Sequence, residues 1–103
     1  MLFVDNQTES FSEYLCMMLQ KAPQAITVGT PSSGANGNVH LYEFPGGVAT
    51  FLTGLGVLDS NYSPMNGRGV KIDVPVLLDA NTIPANLDPY LSKAIELTLC
   101  AGL

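Results

Sequence analysis

Phe11, Tyr14, Leu15, Met18, Leu19 and Ala22 recur at intervals of three and four residues, which draws one apolar stripe on a helix over 10–22. Pro23 ends that helix. Leu2 to Val4 and Ala25 to Thr30 are short apolar runs on either side of it. The order strand, helix, strand predicts a parallel unit with a right-handed crossover. Val39 to Phe44 and Val48 to Thr53, joined by Pro45-Gly46-Gly47, read as a hairpin. A short strand is expected near Val57. Val70, Ile72, Val74 and Val76 alternate with polar positions and Pro75, which predicts a half-buried strand at a sheet edge. Asp88-Pro89 opens a last helix, as cap and first helical residue. Its buried stripe is Leu91, Ala94, Ile95, Thr98 and Leu99, and Gly102 terminates it. The fold class is therefore α/β: a mixed sheet with a strand-helix-strand unit, a hairpin and a C-terminal helix.

The 103 residues suit one domain, 1–103, and 47% hydrophobic content is enough for a core. A net charge of −5 with four Lys and Arg leaves no basic stripe, so nucleic acid is excluded as a partner, and anionic membrane is disfavoured. No apolar run is long enough to span a membrane, and the N-terminus does not read as a signal peptide. Cys16 and Cys100 are far apart and read as two buried thiols, not as a disulfide or zinc ligands. With one histidine, no metal site and no cofactor are expected.

Ser10 is the candidate for chemistry. At a helix N-terminus its hydroxyl lies beside free N–H groups and the positive end of the helix dipole, which can stabilise an oxyanion. Ser10-x-x-Glu13 equally fits a capping box, in which the serine only closes the helix. Gly34-Ala35-Asn36-Gly37 leads into a strand and not a helix, so it reads as a plain turn, or as a peptide- or substrate-facing loop, rather than a phosphate loop. His40 is the chain's one imidazole, and nothing in the sequence brings it to Ser10.

The order and spacing of several motifs resemble the C-terminal part of the protease domain of S41 peptidases, the C-terminal processing (tail-specific) proteases and their tricorn-like relatives. The pieces are Asn6-Gln7-Thr8-Glu9-Ser10-Phe11-Ser12-Glu13, Val28-Gly29-Thr30-Pro31-Ser32-Ser33-Gly34-Ala35-Asn36-Gly37, Phe44-Pro45-Gly46-Gly47 and Gly67-Arg68-Gly69-Val70-Lys71-Ile72-Asp73. The resemblance covers roughly residues 2–99. It implies a crotonase/ClpP-like half-domain, a peptide or protein substrate and a serine endopeptidase. Ser10 falls on the nucleophile, and the backbone N–H of Phe11 on one oxyanion-hole donor. One branch of the family carries a lysine base where this chain has Ala35. The resemblance is therefore to the His-dependent branch, whose histidine comes from an upstream segment outside these residues. Asn66 stands nearest the position where that branch carries a glutamate orienter. These points imply the C-terminal fragment of a longer, exported bacterial peptidase (periplasmic or cell-envelope). Alone it would be inactive, and it would associate with itself or with a missing N-terminal half. The alternative is a non-catalytic peptide-binding or degenerate remnant of the same fold.

Overall fold

The computed structural model describes residues 1–79 and 87–101. Strands β1 (Leu2–Val4) and β2 (Thr27–Gly29) are parallel, with helix α1 (Phe11–Leu19) between them in the chain. Strand β5 (Val74–Pro75) adds to β2, also parallel, in the order β1-β2-β5. The expected α/β fold is present, with parallel and antiparallel pairing divided between two sheets. The second sheet is the hairpin of β3 (Val39–Phe44) and β4 (Val48–Thr53). Helix α2 (Pro89–Ala101) closes the chain, while Gly102, its expected terminator, lies outside the described residues.

The central strand β2 is buried along its length. Gly29 lies at φ +150°, and a Cβ there would run into the Val4 carbonyl oxygen, so only glycine lets the two strands approach this closely. Val4, Met65 and Val70 form the core, with Cys16, Met17, Val57 and Ile72 packed against it. Pro75 does fall on an edge strand, as its missing N–H requires. The strand expected over 70–76 shrinks to Val74–Pro75. Upstream of it, the Thr27 N–H bonds to the Asp73 carboxylate at 3.0 Å. Near Val57 there is no strand, only a bridge between Leu58 and Pro64.

The structure settles which way the α1 stripe points and corrects the buried face expected of α2. In α1 the apolar stripe points outward: Phe11 is 72% exposed, and Tyr14, Leu15, Met18 and Leu19 are also exposed. The face turned inward carries Glu13, Cys16, Met17 and Gln20. In α2, Ala94 is buried and Thr98 half-buried, but Leu91, Ile95 and Leu99 are exposed. Asp88 caps α2 as expected, its Oδ1 accepting the N–H groups of Tyr90 and Leu91 at 2.9 and 3.1 Å. Cys100 is exposed rather than buried, and Cys16 is half-buried.

Every residue of the hairpin is exposed. Paired residues share a face, so Leu41 and Phe51 lie on one side, and Phe44 and Val48 on the other. A two-stranded hairpin with apolar side chains on both faces is marginal alone. The radius of gyration is 17.3 Å, against about 13 Å for a compact chain of this length.

Two aspartates are held below the usual carboxylate range by their partners. The Arg68 guanidinium, 2.5 Å away, and the N–H groups of Ser63 and Asn61 hold the Asp59 carboxyl down at about 2. The Thr27 N–H, and then the Lys71 ammonium, lower Asp73. Groups depressed on folding stabilise above their unfolded value of about 3.9 and lose that contribution as pH falls through the folded one. We therefore expect a melting temperature level above about pH 5 that drops between about pH 4 and 2. Asp59→Asn should flatten that drop in a thermal-melt series. An unchanged profile in the variant would contradict this assignment.

Candidate active site

Ser10 is built by its neighbours on both sides. Upstream, the Asp5 carboxylate accepts the Gln7 N–H and the Thr8 hydroxyl, at 2.9 and 3.3 Å, folding residues 5–8 into a tight turn. Downstream, α1 begins at Phe11 and leaves Ser10 at the N-cap. The capping box does not form: the Ser10 side chain makes no capping hydrogen bond. Instead its own N–H donates to the Ala35 carbonyl at 2.7 Å. Ser10 adopts φ 51°, ψ −120°, a region costing about 1–3 kcal/mol for a residue with a Cβ. Its side chain is exposed at the helix N-terminus, and the Phe11 N–H has no acceptor among the described residues.

Glu13, the other half of the expected box, has a different task. It is fully buried (0% exposed). One oxygen, Oε1, accepts the Ser32 hydroxyl at 2.5 Å and the Gly34 N–H at 2.7 Å. The other, Oε2, accepts the Asn36 amide at 2.9 Å. Ser32 Oγ in turn accepts the Val70 N–H at 2.9 Å. One carboxylate thus gathers the 32–36 loop onto α1 and ties in the 69–70 segment. The same loop presents the Ala35 carbonyl that holds Ser10. Gly34 sits at φ +69° with the backbone of Gly67 and Arg68 against it, where a Cβ would clash. The sequence reading missed Ser32 and Asn36. Their signal was only a loop of small polar residues, and its partner is far away in the chain.

Asn66 lies against this loop, exposed. Its amide N–H donates to the Asn36 carbonyl at 2.9 Å, and its Oδ1 takes a long 3.4 Å contact from the Val57 N–H. The buried Asn36 Oδ1 has no hydrogen-bond partner among the described residues, so the loop keeps one acceptor open. His40 is on the exposed strand β3 opposite Leu52, and no hydrogen bond joins it to Ser10. Ala35 offers a carbonyl but only a methyl side chain, so no base stands at that position. Burial, and then the charge of Glu13, push the Cys16 thiol up, which keeps it protonated and a poor nucleophile. Among the described residues no cluster of three metal-ligating side chains occurs, and no helix is long and apolar enough to cross a membrane.

The arrangement supplies an exposed, strained serine at a helix N-terminus with a free N–H next to it. Chemically, such a pair can present a hydroxyl to a carbonyl and an N–H donor to an oxyanion. No general base reaches it among the described residues.

Residues 1–76 match Peptidase family S41, and the chain belongs to that family. Among solved structures it is similar to a candidate peptidase from Parabacteroides merdae, with a TM-score of 0.84 and 23% identity over 94% of this chain. It is also similar to mature CPAF, with a TM-score of 0.68 and 24% identity over 92% of this chain. For mature CPAF complexed with lactacystin, the TM-score is 0.73 at 23% identity over 93% of this chain. The chain spans 30% of the length of the first of these proteins and 18% of the CPAF chains. No curated protein matches it.

Proposed function

We propose that this S41 chain is the C-terminal part of the protease domain of a serine endopeptidase, with Ser10 as nucleophile. The observation that carries the reading is the backbone of Ser10: φ 51°, ψ −120°, at the N-cap of α1, beside a free Phe11 N–H. Strain of this kind is retained where it aims a reacting group. The Ser10 hydroxyl attacks the substrate carbonyl, and the Phe11 N–H meets the oxyanion as it forms. A histidine base and the second oxyanion donor come from polypeptide outside these 103 residues. Asn66 acts as the orienter of that histidine. Its Oδ1 contact with Val57 is long enough to be exchanged for an imidazole N–H. The outward stripe of α1 and the two-faced hairpin are the surfaces that the additional polypeptide covers.

A second reading has one observation in its favour. An amide at Asn66 cannot stabilise an imidazolium as a carboxylate does, which suits a module that holds peptides without cutting them. Casein hydrolysis separates the two. The full-length protein should cleave casein, and its Ser10→Ala variant should not. The 103-residue chain alone should be inert, because an unassisted serine hydroxyl is a weak nucleophile. Ser10-dependent turnover by the isolated chain would overturn the external base. Peptide binding without cleavage by the full-length protein would favour the second reading.

A further inference from the structure

A cavity of about 490 Å³ opens at the C-terminal end of α1, one helix length from Ser10, between that end and residues 59–73. Its volume is within the range of small-ligand sites. The chain has four Lys and Arg in all, and three of them, Lys21, Arg68 and Lys71, line this cavity. With Asp59 and Asp73 also in the lining, the cavity is net positive by one in a chain of net charge −5. Two of the three already have carboxylate partners in the wall. Arg68 pairs with Asp59 at 2.5 Å, and Lys71 with Asp73 at 2.9 Å. Lys21 has no anionic partner among the described residues.

The walls are braced. Asp59 accepts the N–H groups of Asn61 and Ser63 at 2.8 and 3.0 Å, which fixes the 59–63 turn. Gln20 donates to Thr27 Oγ1 and to the Lys71 carbonyl, both at 2.7 Å, which joins α1 to the opposite wall. The Ser60 hydroxyl and the Asn61 amide line the cavity without side-chain hydrogen bonds among the described residues. Met17 and Met65 supply an apolar floor. Three cations against two carboxylates leave one net positive charge, on the exposed Lys21, beside the exposed Ser60 hydroxyl and Asn61 amide.

We propose that this cavity binds a carboxylate-bearing ligand, with Lys21 as its ion-pair partner and Ser60 and Asn61 as hydrogen-bond donors. Wall carboxylates already satisfy the other two cations, so the chemistry that fits the third is the same. The ligand is either a small free carboxylate or the acidic side chain of a peptide. The inference stands whether or not Ser10 is a nucleophile.

Methionine-methyl NMR on the full-length protein tests it, because Met17 and Met65 line the cavity while Met1 and Met18 do not. Glutarate and a tetraglutamate peptide are titrated separately. The expected result is a saturable shift of the Met17 and Met65 methyls with at least one probe, and the probe that binds more tightly identifies the source. Lys21→Gln should weaken binding about fivefold, as loss of one exposed ion pair does. Lys21→Arg should retain it. Lys93→Gln makes the same charge change outside the cavity and should leave affinity within about twofold. No saturable shift with either probe would overturn the proposal, as would equal weakening by Lys21→Gln and Lys93→Gln.

Discussion

Replacing Glu13 by alanine should cost about 4 kcal/mol of folding stability. The carboxylate is completely buried and accepts three hydrogen bonds, from Ser32, Gly34 and Asn36. Removing it leaves those donors facing a void, each with a penalty of about 1–3 kcal/mol, offset in part by relaxation. A domain has only about 5–15 kcal/mol to lose. The damage should also spread, because the 32–36 loop carries the Ala35 carbonyl that holds Ser10. Glu13→Gln keeps the shape but turns an amide N–H toward existing donors, so it should cost about half as much. Urea unfolding followed by circular dichroism measures both. A loss below about 1 kcal/mol for the alanine variant would mean that the network is not what holds the loop.

Ser10→Gly should stabilise the protein by about 1 kcal/mol while reducing peptide hydrolysis by more than about 10⁴-fold. The stability gain follows from φ 51°, ψ −120°, where a Cβ is strained and glycine is not. Part of the relief, about 0.5–1 kcal/mol, is lost to the greater freedom of glycine in the unfolded chain. Ser10→Ala keeps the Cβ and hence the strain. It should lose activity equally, with stability unchanged within about 0.5 kcal/mol. Paired melts of the two variants isolate the backbone contribution. If alanine stabilised as much as glycine, the strain argument would fail.

The elements were legible in the sequence because they are local. Periodicity located α1, Asp88-Pro89 located the start of α2, and Pro45-Gly46-Gly47 located the hairpin turn. What each element faces was not legible. A stripe from Phe11 to Leu19 is visible in the sequence, but the direction in which it points is not. The structure buries Glu13 instead, since its three donors lie 19 to 23 residues further along the chain. The same gap explains the capping box: Ser10-x-x-Glu13 has the right letters, but both residues are engaged by the 32–36 loop. Only the tertiary loop turns a helix start into a strained N-cap. The strand expected over 70–76 failed for a related reason. The Asp73 side chain takes the Thr27 N–H, and although the N–H groups of Asp73 and Val76 still bond to the Thr27 and Gly29 carbonyls, regular pairing covers only Val74–Pro75.

The central claim is that Ser10 is a nucleophile activated by polypeptide outside these residues. Treating the full-length protein with a fluorophosphonate and mapping the adduct by peptide mass spectrometry tests it most directly. The account predicts a single adduct on the Ser10 peptide, abolished by Ser10→Ala and absent when the 103-residue chain is treated alone. An adduct at another serine, or peptide cleavage by a full-length protein whose Ser10 stays unlabelled, would contradict it.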